Sequence, residues 1–132
     1  MAAILVVDDE PLVRTTVKTV LGRDGHTIVF CENGRQALKA FAERPFDAVL
    51  SDVRMPQGDG VWLLCEIRKV AAELPVFLMT GLTDDPRLEG VVFDAHTKLL
   101  KKPLDLRGLR AMLAQIGEGA GKRGSDTAFP ED

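Results

Sequence analysis

The chain has 132 residues, enough for one domain with a substantial core, and its 45% hydrophobic and 28% charged residues are ordinary for a globular protein. Its net charge of −3 excludes a general attraction to nucleic acid or to an anionic membrane. No apolar run approaches the roughly 20 residues that span a bilayer. The first ten residues, MAAILVVDDE, lack the basic start of a signal peptide and reach acidic residues early. We therefore expect a cytoplasmic protein that binds neither a membrane nor nucleic acid directly.

Five short apolar runs predict the strands of a parallel sheet. They are rich in β-branched residues and lack strict polar alternation, as in strands that helices cover on both faces. The predicted strands are residues 3–7, 27–30, 47–51, 75–79 and the weaker run 97–100.

Helical patterns alternate with these runs. Four apolar stripes at helical spacing begin at Val13, Ala37, Leu63 and Leu106. Residues 84–93 form a poorer helix, in which Asp84 or Asp85 caps the start, Pro86 suits the first turn and Gly90 weakens the interior. Five strand–helix units in series predict an α/β fold, a five-stranded parallel sheet in the flavodoxin-like order 2-1-3-4-5 with helices on both faces.

The composition changes after Ile116. Residues 118–132 are rich in glycine and polar residues and show no periodicity. We therefore expect residues 1–117 to form the domain and residues 118–132 to form a flexible tail or linker. A short docking segment around Phe129 is the alternative.

The chain contains two cysteines, Cys31 and Cys65, and no CxxC motif or Cys/His cluster. Without these patterns, two buried thiols are expected rather than a disulfide or a thiolate metal site. Carboxylates are therefore the candidate metal ligands.

The predicted sheet brings polar residues to one edge. Strand 1 ends in Asp8-Asp9, strand 3 in Asp52, strand 4 in Thr80 and strand 5 in Lys102. The carboxyl ends of parallel strands share one edge, and ligands bind there. Neighbouring carboxylates repel, and a cation with oxygen ligands, Mg²⁺ or Mn²⁺ as its substitute, relieves that repulsion. Asp52 is then a candidate phosphoryl acceptor, since carboxylates form aspartyl phosphates.

Four blocks of sequence, ILVVDDEP, SDVRMPQGDG, LMTG and KKP, resemble the signature blocks of the receiver domains of two-component response regulators. The blocks occur in order and at the usual spacings, from about residue 3 to residue 116. The resemblance implies that Asp8, Asp9 and Asp52 hold Mg²⁺ together with the backbone carbonyl of Arg54. It implies no organic cofactor.

The resemblance also implies roles in phosphoryl transfer and switching. Asp52 is the phosphoacceptor, Thr80 the switch hydroxyl and Lys102 the active-site lysine. The peptide bond before Pro103 is usually cis in the family.

The chain departs from the family pattern within the switch region, which comprises Thr80, Gly81, Leu99 and Pro103. Leu99 stands where most members have Tyr or Phe, so coupled motion of an aromatic ring is not expected, and Gly81 replaces the commoner alanine.

Arg54 and Leu82 occupy the two variable positions that tune phosphoryl lifetime in this family. We expect the cation at 54 to contact the phosphoryl group and the apolar residue at 82 to hinder the attacking water.

The leading hypothesis is a phosphorylation-dependent switch. A histidine kinase or phosphotransfer domain presents phosphohistidine, and Asp52 takes the phosphoryl group. The surface formed by the fourth helix, fifth strand and fifth helix then shifts its conformational equilibrium and contacts an unknown downstream protein. A homodimer through the same surface is possible. The domain catalyses its own phosphorylation and dephosphorylation and is not an enzyme acting on a metabolite.

Three other classes stay open. An interaction module without phosphorylation-dependent switching is compatible with Leu99. An aspartyl-nucleophile phosphohydrolase usually has a DxDxT block after the first strand, which Asp8-Asp9-Glu10 does not match. A flavin carrier on this fold needs a hydroxyl-rich phosphate loop there, where two acids would repel phosphate.

Overall fold

The computed structural model describes residues 2–123, with side chains as far as Ile116. The strands are β1 (Ala3–Val7), β2 (Thr27–Cys31), β3 (Ala48–Asp52), β4 (Val76–Thr80) and β5 (Thr97–Lys101). The α-helices of the described residues are α1 (Pro11–Gly22), α2 (Gly34–Glu43), α3 (Gly60–Arg68) and α4 (Leu106–Arg123). Each predicted strand is confirmed to within one residue at either end.

The five strands form one parallel sheet in the order β2-β1-β3-β4-β5, as predicted. Strands β3 and β4, in the middle of the sheet, are buried along their whole length, while β2 and β5, at its edges, are partly exposed. This difference explains why the run at 97–100 gave the weaker apolar signal. An edge strand needs fewer apolar residues because one of its sides meets solvent.

Helices cover both faces of the sheet and create two apolar cores. One core joins the sheet to α2 and α3, with Phe41 and Ile67 among its buried members. The other joins it to α1 and α4, with Leu21 and Leu113 buried between the layers. The predicted three-layer α/β/α architecture is therefore confirmed. No described helix combines the length and the apolar character needed to cross a membrane.

The helix predicted over residues 84–93 is wrong. The structure has only one turn of 3₁₀ helix, at Pro86–Leu88. Asp85 does cap this turn, because its carboxylate accepts a hydrogen bond from the backbone N–H of Arg87. Gly90 then takes a φ of +86°, a left-handed conformation that ends helical propagation. Apart from this turn, the β4–β5 connection is irregular, so the first element of the predicted helix 4–strand 5–helix 5 surface is missing.

The last helix is longer than predicted. It runs to Arg123, so residues 118–123 have helical backbone where a flexible segment was expected. No proline lies between Pro103 and Pro130, and glycine weakens a helix without stopping it. The domain boundary at 117–118 stays a prediction. The remaining tail, with Phe129, lies outside the described residues.

The two cysteines are both free thiols, as expected, but only Cys31 is buried. Cys65 is exposed, which corrects the prediction. The buried face of α3 is taken by Leu63, Leu64 and Ile67, and Cys65 lies on the opposite side of the same helix.

Candidate functional site

Backbone hydrogen bonds continue the ladders just past the strand ends and fix the polar residues there. The N–H of Asp8 donates to the carbonyl of Cys31 at 3.0 Å, and the N–H of Lys102 donates to the carbonyl of Thr80 at 2.8 Å. On β3, Asp52 lies opposite Met79 of β4. The side chains of strands β1, β3, β4 and β5 therefore meet at one edge, as predicted.

At this edge the ammonium group of Lys102 lies among three carboxylates. Its Nζ is 3.0 Å from Oδ2 of Asp8, 3.0 Å from Oε1 of Glu10 and 3.2 Å from Oδ2 of Asp52. The side chain of Asp8 is fully buried and that of Asp52 is 12% exposed, whereas Glu10 is 57% exposed. The geometry brings together three residues predicted from the sequence and one, Glu10, that was not.

The electrostatics of the cluster follow from burial and from the excess of acids. Burial, then the charge of Asp8, raises the pKa of Asp52 to about 6, although Lys102 opposes the shift and Asp9 adds to it. Burial alone would lower the pKa of Lys102, but hydrogen bonds to Glu10 and Asp8 and the charge of Asp52 raise it above its ordinary value. One ammonium does not neutralise three carboxylates, so the site is suited to a further cation.

The donor set fits a hard divalent cation. Carboxylate oxygens of Asp8, Glu10 and Asp52 all lie within 4.8 Å of one another, and oxygen ligands are those that Mg²⁺ prefers. Asp9, predicted as a ligand, is exposed and outside this group, but its charge reaches Asp52. The run of three acids before Pro11 was the available signal for Glu10.

The hydroxyl of Thr80 is bound to its own loop. Its Oγ1 donates to the carbonyl of Leu82 at 2.9 Å and accepts from the N–H of Leu82 at 3.0 Å. Thr80 is thus buried at the predicted edge, while its hydroxyl is engaged by the β4–β5 connection.

The other predicted switch residues differ in how tightly they are packed. A Cβ added to Gly81 would meet nothing within 4 Å, so an alanine would fit. Leu99 is half-buried and packs against the core beneath α2 and α3. The peptide bond before Pro103 is cis, as the resemblance implied.

The side chain of Arg54 makes an ion pair that the sequence did not indicate. Its Nε donates to Oδ2 of Asp85 at 2.6 Å, and the carboxylate of Asp85 is fully buried while Arg54 remains 55% exposed. The hydrogen bond from Arg54, followed by that from the backbone of Arg87, lowers the pKa of Asp85. The two partners are 31 residues apart, so no local pattern reveals them.

The loop after Asp52 is closely packed against its surroundings. A Cβ on Gly60 would collide with the carbonyl oxygen of Asp52, so only glycine fits there. Asp59 caps α3 by accepting from the N–H of Trp62 at 2.8 Å, and the carbonyl of Gly58 accepts from the N–H of Gly34 at 2.9 Å. These contacts fix the loop between β3 and α3 against the end of β3 and the start of α2.

A groove of about 460 Å³ adjoins the site between the start of α1 and the β5–α4 loop. Glu10 and Lys102 stand at its polar end. Its remaining wall is mostly apolar and is formed by Leu12, Val13, Thr16, Val17, Pro103, Leu104 and Leu106. Leu12 is 76% exposed, which is unusual for a large apolar side chain beside a charged site.

Known proteins resemble this chain over most of its length. A family model described as "Response regulator receiver domain" matches residues 4–114. The transcriptional regulatory protein ZraR of Escherichia coli O157:H7 is 37% identical over 110 residues, which are 83% of this chain and 25% of ZraR. The transcriptional regulatory protein AruR of Pseudomonas aeruginosa is 36% identical over 112 residues, covering 80% of this chain and 45% of AruR. The chain thus spans less than half the length of either relative.

A solved structure gives the same result. The signal receiver domain of an HD domain-containing protein from Pseudomonas fluorescens Pf-5 superposes with a TM-score of 0.80 at 27% identity. The match covers 95% of this chain and 93% of that one.

Proposed function

Because this chain belongs to the family of response regulator receiver domains, we propose that it accepts a phosphoryl group on Asp52 from a histidine kinase or a phosphotransfer domain. The main support is one contact: the ammonium of Lys102 lies 3.2 Å from Oδ2 of Asp52 and 3.0 Å from Oδ2 of Asp8. A receiver is a signalling domain, and the catalysis we propose is of its own modification.

The proposed step uses an oxygen of Asp52 as the nucleophile. A P–O bond forms as the P–N bond of phosphohistidine breaks, and the electron pair returns to the imidazole nitrogen. Lys102 and Thr80 engage the phosphoryl oxygens once the hydroxyl of Thr80 leaves Leu82. Transfer to water later restores the carboxylate.

The metal expected here is Mg²⁺, held by Asp8, Asp9, Asp52 and the backbone carbonyl of Arg54, with Mn²⁺ as a substitute. When bound, it would neutralise charge on the transferring phosphoryl oxygens. Glu10 is an additional acid at this site, and Lys102 partly offsets the same charge in the described structure. The cluster of buried acids supports the proposal because ionised Asp52 is otherwise disfavoured.

We place the contact with the phosphodonor protein in the apolar groove beside Lys102. The donor's phosphohistidine must reach Asp52, whose side chain is only 12% exposed, so a partner surface must bind next to it. The exposed Leu12 and the wall residue Leu104 give that partner apolar area within the groove.

The proposal includes a downstream protein that binds the phosphorylated domain, and it does not name that protein. The relatives named above are transcriptional regulators, so absence of nucleic-acid contact stays a prediction for this chain, as does its cytoplasmic location. A homodimer would have to use β5, α4 and the irregular β4–β5 connection, since the predicted fourth helix is missing.

Two alternatives remain beside this proposal. An interaction module without phosphorylation would not need the buried contact between Lys102 and Asp52. A phosphohydrolase would release phosphate from a generic phosphomonoester over many turnovers.

Intact-mass measurement after incubation with Mg²⁺ and acetyl phosphate tests the function. We expect one phosphoryl adduct in wild type and in Asp24→Asn, a matched change at the opposite end of the sheet, and none in Asp52→Asn. No adduct in wild type, either with acetyl phosphate or with a cognate kinase, would refute the proposal.

A substitution in the groove tests the docking surface in the same assay. Leu12→Glu should slow transfer from the kinase and leave transfer from acetyl phosphate unchanged. Equal slowing of both reactions would show that the phosphodonor protein does not bind in the groove.

A further inference from the structure

The β4–β5 connection is attached to the phosphoacceptor loop by two ion pairs. One joins Nε of Arg54 to Oδ2 of Asp85 at 2.6 Å, and the other joins Nε of Arg87 to Oδ2 of Asp59 at 3.5 Å. Arg54 and Asp59 belong to the loop between β3 and α3, whereas Asp85 and Arg87 belong to the connection. The connection has one helical turn of three residues, Pro86–Leu88, so these pairs replace part of the packing that a longer helix would provide.

The two partners of the first pair have unequal freedom. The carboxylate of Asp85 is fully buried and also accepts from the N–H of Arg87 at 2.9 Å, so it is fixed in place. Arg54 is 55% exposed and has a long side chain. If the pair separates, Arg54 moves into solvent space, and the buried carboxylate of Asp85 keeps only the longer ion pair with Arg87, whose Nη1 lies 3.7 Å from its Oδ1. The loss of the closer cation disfavours the existing packing.

Phosphorylation would create a competing anion close to Arg54. Arg54 follows Asp52 by two residues, and Val53 between them is fully buried and donates its N–H to the carbonyl of Met79 at 2.9 Å. This bond carries the β3–β4 pairing one residue past the end of β3, so Arg54 starts the following loop only two residues from the phosphoacceptor. A phosphoryl group on Asp52 adds negative charge and acceptor oxygens, which a guanidinium binds well.

The same turn of chain is also attached to Thr80. The N–H of Asp85 donates to the carbonyl of Leu82 at 3.2 Å, and that carbonyl accepts from Thr80 as well. The turn Leu82–Asp85 is therefore held at its start by Thr80 and at its end by Arg54. Both of these residues lie at the edge where Asp52 would be phosphorylated.

Resting on the function proposed above, we infer that the Arg54–Asp85 ion pair is a latch which phosphorylation of Asp52 opens. Arg54 transfers from Asp85 to the phosphoryl oxygens, and the segment 82–93 is loosened because it keeps only the Arg87–Asp59 pair to the β3–α3 loop. Asp85 is a positioning residue that holds Arg54 away from the site until then. This latch supplies a coupling route in a chain that has Leu99 where an aromatic residue is usual.

Hydrogen–deuterium exchange of segment 82–93, with and without acetyl phosphate and Mg²⁺, tests the latch. In wild type we expect exchange there to rise about tenfold on phosphorylation, a factor that corresponds to opening of a local structure. In Arg54→Ala and Asp85→Asn the segment should already exchange at the faster rate, with no further rise on phosphorylation. Asp84→Asn, an exposed neighbour with the same loss of charge, should behave as wild type.

Arg54→Lys separates the latch from a purely structural role. A lysine keeps the charge and one donor, so the rise on phosphorylation should return in this variant even if its size is smaller. The latch is overturned if wild type acquires the phosphoryl adduct and the exchange of 82–93 does not change, or if Arg54→Ala shows the same rise as wild type. Failure of wild type to form the adduct would overturn the proposed function and the latch together.

Discussion

Each end of the parallel sheet has a half-buried cation that joins several elements, Lys102 at one end and Arg68 at the other, and the partners of these two cations differ. At the carboxyl ends, Lys102 faces the carboxylates of Asp8, Glu10 and Asp52. At the amino ends, Arg68 donates to four neutral oxygens, which are the carbonyls of Ala71, Leu74 and His96 and the hydroxyl of Thr97.

This difference distinguishes a binding site, around Lys102, from a structural site, around Arg68. The guanidinium of Arg68 donates to acceptors where α3 ends and β4 and β5 begin, and the carbonyl of His96 among them also accepts from the N–H of Val76 at 2.9 Å. The cluster around Lys102 is underneutralised, and its central acid, Asp52, has a pKa raised to about 6. An arrangement of acids that is unfavourable until a cation neutralises it is typical of functional sites.

Removing the cation at the structural end should have the largest effect on stability. Arg68→Ala removes a donor from four acceptors, of which the carbonyl of His96 keeps the N–H of Val76, and we expect a loss of about 2–4 kcal/mol in the free energy of unfolding. Lys69→Ala is the matched control, since Lys69 is exposed and pairs only with Glu66, and should change stability by less than about 0.5 kcal/mol. Urea denaturation measures both. Equal midpoints for the two variants would mean that Arg68 has no structural role at this end.

Neutralising the central acid at the other end should stabilise the protein instead. The pKa of Asp52 is about 6 in the folded protein against 3.8 without the fold, so the folded state binds this proton more tightly. The ionised carboxylate therefore destabilises the fold progressively as the pH rises from 3.8 through 6, and fully above that. With a chelator present, Asp52→Asn should be more stable than wild type by roughly 1–3 kcal/mol at pH 8, and the gain should vanish near pH 4.

Two controls define this result. Asp24 has a pKa lowered by its hydrogen bond to Arg110, so Asp24→Asn should be slightly less stable than wild type at pH 8, the opposite sign. Saturating Mg²⁺ should raise the melting temperature of wild type and leave that of Asp52→Asn nearly unchanged. If Asp52→Asn melts at a lower temperature than wild type at pH 8 without metal, the attraction of Lys102 outweighs the cost of burying the ionised Asp52.

The contrast between the two ends also shows what the sequence can and cannot predict. The strands and the edge they share follow from apolar runs such as 3–7 and 47–51, which need no long-range information. The ion pairs of Glu10 and Asp85 were missed because their partners, Lys102 and Arg54, are brought to them only by the folded chain. The failed helix at 84–93 had warning signs in its weak apolar periodicity and in Gly90, and the turn at Asp85 is what local capping alone supports.

The smallest expected effect is on Mg²⁺ affinity, and it depends on whether Asp9 or Glu10 is the metal ligand. The resemblance to receiver domains favours Asp9, whereas the cluster around Lys102 contains Glu10. The charge of Glu10 is already offset by Lys102 at 3.0 Å, and Asp9 has no ion pair among residues 2–116. A carboxylate without a cation partner gives up no ion pair when it binds a metal, so Asp9 should contribute more to the affinity.

Calorimetric titration of Mg²⁺ into Asp9→Asn and Glu10→Gln distinguishes the two acids. We expect the dissociation constant to rise about tenfold for Asp9→Asn and less than about threefold for Glu10→Gln, as the loss of one charge at a partly exposed site implies. The reverse order would place Glu10 in the metal site and would make Lys102 its competitor there. Because Lys102 is the only cation within reach of Asp8, Glu10 and Asp52 in the described part of the chain, Mg²⁺ would then have to displace it from Glu10 before binding.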